Sequence, residues 1–351
     1  MMKLATVLAC LWTISARADP LTYLGVNLSG AEFGVPGEFR HRYDLGRLGT
    51  TYIFPPRAEI ESYADSGFNI ARVLFAWERL QHEPYASLDA AYLSGLDGVV
   101  RDAAAKRMVV ILEPGNLGYG YGGLIGTEAT PNSAFADLWR RIAEHYAGRT
   151  DVMFGLMNEP HDQAPEEWLH SAQAAIDAIR ATGARQEILV PGTYYSQGAS
   201  WLSRGNATAF ADRITDPANT IAFEVHQYTD ADQSGRSPIP VSPTIGAERL
   251  ARVTAWAEAT GKRLFLAEFG AGRDEASIEA MRNQLRFVQA HSGVWQGAAI
   301  WGGGPWWPTD YPLGIEPVSS PQLLALREFL PRKSATPPPR PPSSTLSPTG
   351  L

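Results

Sequence analysis

Short apolar, strand-like runs alternate with longer helical patterns along almost the whole chain, and this alternation restricts its fold more than any other feature. Eight such runs stand out: residues 23–27, 69–75, 108–113, 152–158, 188–192, 221–226, 263–268 and 298–301. Between them, residues 89–106, 133–145, 165–181, 247–260 and 275–291 carry apolar residues at the spacing of an amphipathic helix. Strands separated by helices close up as parallel βαβ units. Eight of them predict an α/β chain folded as a (β/α)8 TIM barrel in a single catalytic domain, since such barrels commonly exceed about 250 residues.

A barrel of this kind carries its chemistry at the C-terminal ends of its strands. Here the run Phe154-Gly-Leu-Met-Asn-Glu-Pro160 delivers Glu159 to such an end, and Leu264-Phe-Leu-Ala-Glu-Phe-Gly270 delivers Glu268. Either carboxylate alone reads as a strand cap. Two facing each other are the minimal machinery for hydrolysing a glycosidic bond, where retention of configuration needs one protonated and one ionised carboxyl about 5 Å apart. Glu159 is the expected acid/base, because the amide of Asn158 beside it suits a sugar 2-hydroxyl; Glu268 is then the nucleophile.

Supporting residues follow from cost and alternation. Arg72 lies within a strand, where a guanidinium is costly unless paired, and Glu268 is its expected partner. That pairing would keep Glu268 ionised, whereas burial and the neighbouring like charge would keep Glu159 protonated. His226 and Tyr228 alternate to one side of Phe223-Glu-Val-His-Gln-Tyr228, His226 to tune the acid/base and Tyr228 to hydrogen-bond the nucleophile. The last strand runs into Ile300-Trp-Gly-Gly-Gly-Pro-Trp-Trp307, whose aromatic planes suit the apolar C–H faces of sugars. Trp301 is the expected platform at the reacting sugar, with Trp306 or Trp307 further along a cleft, whereas Trp139, Trp256 and Trp295 read as core.

Composition narrows the partners and the compartment. A net charge of −7 and a pI near 5.6 argue against a nucleic-acid partner, which needs clustered Lys and Arg. Residues 1–18 read as a secretory signal peptide, with a lysine, an apolar run from Leu4 to Ile14 too short to anchor in a membrane, and Ala16-Arg17-Ala18 at its end. The one cysteine, Cys10, leaves with it, so stability must come from core packing. The catalytic barrel is expected over residues 19–332, followed by a Pro/Ser/Thr-rich tail or linker over 333–351. The expected mature protein is a secreted monomer without membrane attachment.

Six blocks in order, GVNLSGAEFG, NIARVLFAWERLQ, FGLMNEPHD, EVHQYTDADQSG, LFLAEFGAG and AAIWGGGPWWPTDYPLGIEP, make residues 20–330 resemble glycoside hydrolase family five, and more narrowly its secreted endo-β-1,4-glucanases. The resemblance implies Arg72, Asn158, Glu159, His226, Tyr228, Glu268 and Trp301 at the reacting subsite. It further implies a β-1,4-glucan substrate, a retaining outcome, and neither metal nor organic cofactor. One departure stands in Ile111-Leu-Glu-Pro-Gly-Asn116: where the family usually shows a histidine before the supporting Asn116, this chain has Gly115, and Leu117 stands where an aromatic is typical. Weakened or redirected activity is the expected result. The alternatives are a β-mannanase, xyloglucanase or mixed-linkage glucanase on the same barrel, a transglycosylase, or a carbohydrate-binding protein with weakened catalysis.

Overall fold

The computed structural model describes residues 19–34 and 45–331. The expected signal peptide, with Cys10, and the expected tail lie outside the described residues. In chain order the strands are β1 (Tyr23–Leu28), β2 (Ile70–Phe75), β3 (Val109–Pro114), β4 (Tyr119–Gly120), β5 (Gly123–Leu124), β6 (Val152–Gly155), β7 (Ile188–Pro191), β8 (Ile221–His226), β9 (Leu264–Phe269) and β10 (Trp295–Gly303). The helices are α1 (Arg57–Asp65), α2 (Trp77–Leu80), α3 (Ala90–Ala105), α4 (Asn132–His145), α5 (Pro165–Ala181), α6 (Asn206–Phe210), α7 (Ile245–Thr260), α8 (Glu275–Ala290) and α9 (Pro321–Leu326). Eight strands close into one parallel barrel in the order β1-β10-β9-β8-β7-β6-β3-β2, and β4 and β5 form a separate hairpin.

Strand alternation sorts the core into two parts. Leu24, Val26, Val73, Phe75, Val110 and Leu112 face outward into a large cluster shared with the helices. Ile70, Ile111, Met153, Leu189, Ala222, Phe265, Ala267 and Ala299 face inward and fill the barrel floor. The register pairs Arg72 with Asn27 on β1 and with Ile111 on β3. Going up two residues from Ile70, Ile111 and Ala222 reaches Arg72, Glu113 and Glu224, all fully buried. The lumen therefore turns from apolar to charged within one pleat.

Tryptophans tie the helical ring to the strand ends. Trp139 on α4 donates from Nε1 to the Leu156 carbonyl at 3.2 Å, and Trp168 on α5 to the Pro191 carbonyl at 2.7 Å. Trp295 donates to Thr254 on α7 at 3.0 Å. Each indole thus buries its surface without stranding its N–H. Trp139 and Trp295 are core as expected, and Trp256 packs against the same cluster.

Element boundaries differ from expectation in two informative places. The run over 152–158 leaves the ladder at Gly155, after which the Asn158 N–H bonds the Pro114 carbonyl of β3 at 2.8 Å. A Cβ at Gly155 would come within 2.1 Å of Glu113 Oε2, so only a bare backbone lets that carboxyl lie there. The last strand is longer than expected and reaches Gly303. Helices α1, α2, α6 and α9, of four to nine residues, are too short to impose a readable period.

Candidate active site

The site is organised around Arg72, which is wholly buried and uses all three nitrogens. Nη1 donates to Asn27 Oδ1 at 2.8 Å and to Glu268 Oε1 at 2.7 Å. Nε and Nη2 clasp Glu113 at 2.7 Å each, and Nη2 also reaches Asn158 Oδ1 at 2.7 Å and Glu224 Oε1 at 3.0 Å. The expected Arg72–Glu268 pair is present, within a wider charged layer. Removing one member of so buried a set would cost about 3–5 kcal/mol, because the others would be left with less compensation in a place without water.

Above this layer, His226 links the two expected reacting groups. Its Nδ1 lies 2.9 Å from Glu159 Oε1 and 3.5 Å from Glu268 Oε2, and its Nε2 lies 2.7 Å from Glu224 Oε1. Burial disfavours a charged imidazole, but Glu268, Glu159 and Glu224 outweigh it and push His226 up to about 10. The ring is therefore an imidazolium near neutrality and donates from both nitrogens. Glu159, His226 and Glu268 each present one ring nitrogen or carboxylate oxygen within 4.8 Å of the others.

The two glutamates have different surroundings. Burial, and next the charge of Glu268, raise Glu159 above the usual carboxylate range, with only 21% of its side chain exposed. Glu268 accepts from Arg72 and, at 2.9 Å, from the Tyr228 hydroxyl. Burial and Glu268 in turn hold the Tyr228 phenol protonated far up the pH scale. Glu159 also has a backbone φ of 45°, in the left-handed region that side-chain-bearing residues rarely adopt. Strain of about 1–3 kcal/mol at such a residue marks a position that the surrounding structure forces.

A family model described as cellulase, glycosyl hydrolase family 5, matches residues 26–304. The chain belongs to glycosyl hydrolase family 5. Among its relatives, endoglucanase gh5-1 of Neurospora crassa is 38% identical over 300 residues, 85% of this chain and 73% of that one. Endo-beta-1,4-glucanase A of Emericella nidulans is 35% identical over 333 residues, covering 94% and 96% of the two chains. The solved structure of XacCel5A in complex with cellopentaose superposes with a TM-score of 0.84 at 38% identity, covering 88% of this chain and 99% of that one. As a family 5 member the protein is a glycoside hydrolase, with endo-β-1,4-glucanase as its activity.

At the end of β10 and in the segment after it, the family 5 chain gathers a group of aromatic rings. Trp301 is half-buried and donates from Nε1 to the Tyr311 hydroxyl at 2.9 Å. Trp307 stacks on Tyr311 at 4.2 Å and meets Phe33 edge-on at 5.0 Å. Trp306 is half-buried beside this group, outside the ring contacts found among the described residues. On the Glu159 side, His161 stacks on Tyr195 at 4.3 Å and contacts the Glu159 carbonyl at 3.0 Å, a second aromatic surface that periodicity did not reveal.

Asn116 is deeply placed: its amide accepts from the Trp77 N–H at 2.9 Å and donates to Glu78 at 2.8 Å, so it supports the loop. Gly115 continues the inward series Ile111, Glu113 up β3 and so stands at the mouth of the lumen. Its φ is not left-handed, and a Cβ there would meet Glu32 Cβ at 3.2 Å and Leu74 Cβ at 3.6 Å. The backbone does not demand glycine here, but a side chain would press on Glu32, which would have to give by a few tenths of an ångström. Glu32, whose Oε2 accepts from the Gly30 N–H at 2.8 Å, is pushed up by burial to about 7.

Sequence reasoning missed Glu113, Glu224 and Glu32. For Glu113 and Glu224 a signal existed: each is an acid inside an otherwise apolar strand, two residues from an inward neighbour. Glu32 lies in a loop, where no alternation points its side chain.

Proposed function

We propose that the protein is an exported, retaining endo-β-1,4-glucanase that cuts internal bonds of cellulose or a related β-glucan by double displacement. The observation that carries this reading is the closeness of Glu159 and Glu268, which each present a carboxylate oxygen within 4.8 Å of the other, side by side as the pair of a retaining enzyme must be. Export is supported by the leader-like first residues, and no helix among the described residues is long and apolar enough to cross a membrane.

In this reading Glu268, held by Arg72 and Tyr228, attacks the anomeric carbon while Glu159 protonates the leaving oxygen. Glu159 then takes a proton from water, which hydrolyses the glycosyl-enzyme. As the negative charge of Glu268 is spent in bond formation, the like-charge force that raised Glu159 disappears, and its proton affinity falls when it must give the proton up. The amide of Asn158, fixed through Oδ1 by Arg72, keeps its N–H groups for a sugar hydroxyl. Trp301 offers the apolar face on which the sugar rests.

A second reading, a preference for substituted glucans such as xyloglucan, is favoured by the missing side chain of Gly115 at the lumen mouth. Reducing-end release and viscosity on carboxymethyl cellulose, barley β-glucan, xyloglucan, glucomannan and mannan separate the two. A fast viscosity fall on unsubstituted glucans supports the first, dominance of xyloglucan the second, and silence on all five removes both. Gly115→His should change turnover on carboxymethyl cellulose by roughly tenfold, the scale of one hydrogen bond in the transition state. An unchanged rate and preference would leave Gly115 without a catalytic consequence.

A further inference from the structure

The backbone of Glu159 is held in a conformation that its own sequence disfavours. The residue carries a side chain and precedes Pro160, and both facts favour an extended backbone, yet its φ is 45°. The chain on either side of it is pinned. The Asn158 N–H bonds the Pro114 carbonyl at 2.8 Å, and the Pro160 carbonyl accepts from the Tyr195 N–H at 3.3 Å. Gln163 donates to the Gly118 carbonyl at 2.8 Å. The carbonyl of Glu159 itself meets His161 Nδ1 at 3.0 Å.

A carbonyl oxygen can only accept, so this contact fixes the His161 tautomer with its proton on Nδ1. The bond reaches back two residues and closes the turn at the acid/base group. The imidazole is held in turn by Tyr195, whose ring lies 4.3 Å away at an interplanar angle of 10°. With 15% of its side chain exposed, His161 has little room to leave that stack. Tyr195 reaches this place through a second unusual stretch of backbone. Tyr194, Tyr195 and Ser196 have φ of 57°, 61° and 55°, three left-handed residues with side chains in succession. Ser196 fastens that turn to β8: its carbonyl accepts from the His226 N–H at 2.9 Å, and its hydroxyl donates to the Glu224 carbonyl. The carboxyl of Glu159 refers to the same strand, since His226 Nδ1 lies 2.9 Å from its Oε1. One strand thus sets both ends of Glu159, the carboxyl through His226 and the backbone through Ser196, Tyr195 and His161.

We propose that His161 is a positioning residue for the acid/base: its Nδ1–H holds the Glu159 turn in the left-handed conformation that aims the carboxyl at the leaving oxygen, and Tyr195 is the plate that locks the imidazole. The inference rests on Glu159 as the acid/base. A misaligned acid matters only where the leaving group needs a proton. Because kcat/KM reports bond cleavage, a substrate whose leaving group departs as a stable dinitrophenolate is insensitive to it, whereas a general loss of structure lowers both kinds of turnover.

The test is kcat/KM on cellotetraose and on 2,4-dinitrophenyl β-cellobioside for the wild type, His161→Phe, His161→Asn and Tyr195→Asn. Phenylalanine keeps a ring for the stack and lacks the donor; asparagine can place an N–H where Nδ1 stands and lacks the ring. His161→Phe should lose about tenfold on cellotetraose, the scale of one hydrogen bond, and stay within about twofold on the aryl glycoside. His161→Asn should lose no more than about threefold on cellotetraose. Equal losses on both substrates in His161→Phe would overturn the proposal. So would a larger loss in His161→Asn than in His161→Phe, which would make the ring pair a stacking surface for sugar. Should His161→Phe fail to fold, Tyr195→Asn decides, since the tyrosine is 44% exposed and asparagine tolerates a left-handed backbone. It should lose about threefold on cellotetraose alone, and an unchanged ratio between the two substrates contradicts the proposal. Glu159→Gln keeps the two readings apart: it should show the same selectivity in larger measure, and an equal loss on both substrates there would indict the acid/base assignment and not His161.

Discussion

The barrel floor and the charged layer above it occupy successive inward positions of the same strands, yet they are built on opposite principles. Ile70, Ile111, Ala222 and Phe265 bury apolar surface and ask nothing of their neighbours beyond shape. Two residues further up, Arg72, Glu113 and Glu224 are just as buried, and every donor and acceptor there depends on a particular partner. The floor supplies stability that tolerates conservative change. The layer supplies a fixed electrostatic field and tolerates almost none, since breaking a buried charge set costs more than the set contributes.

The sharpest way to break this comparison is at its top. Glu268→Gln and Glu159→Gln should keep the barrel fold, Glu268→Gln at a cost in stability, the first losing nearly all turnover and the second about 10²–10⁴-fold, the usual contribution of a positioned acid/base. Near-wild-type rates in either would show that the mouth does not depend on single partners. Ile111→Ala should do the reverse: a loss of about 2–5 kcal/mol in denaturant unfolding, with kcat of the folded protein little altered. A collapse of kcat with stability intact would erase the distinction between floor and layer.

A smaller effect sharpens the same contrast through pH. Burial leaves Glu32 and Glu78 at about 7 and Glu113 at about 8, so the folded state keeps protons that the unfolded chain has released near pH 4.3 or so. Stability from these groups is therefore greatest at acid pH and declines as pH climbs through their raised values. His226 acts in the same direction: its stabilisation is complete below about pH 6.5 and is lost as pH rises through about 10. Asp137 and Asp216, lowered by arginine partners despite burial, oppose this only at more acid pH, below the ordinary aspartate range. Calorimetry between pH 5 and pH 9, about the window these values span, should show Tm falling throughout; a flat or rising Tm would mean the layer's protons are not where the structure puts them.

Much of this was legible in the chain. Each of the eight strands was located to within a few residues because its period and its flanking turns agree, and the helix over Pro165–Ala181 was read without error. The Arg72–Glu268, His226–Glu159 and Tyr228–Glu268 contacts followed from alternation and charge. What stayed hidden depends on three-dimensional neighbours. The layer that gathers Glu113 from β3 and Glu224 from β8 around Arg72 joins strands that are not adjacent in the barrel, and no local pattern reports it. The left-handed backbone at Glu159 and the His161–Tyr195 stack arise from loops whose course is set by packing.

The most direct test of the central claim is to trap the intermediate with an activated 2-deoxy-2-fluoro-β-cellobioside and map the adduct by mass spectrometry of the digested protein. The account predicts a single covalent glycosyl group on the peptide carrying Glu268, slowly released on adding an acceptor sugar. Steady turnover of glucan with no adduct, or an adduct on any other residue, would contradict it.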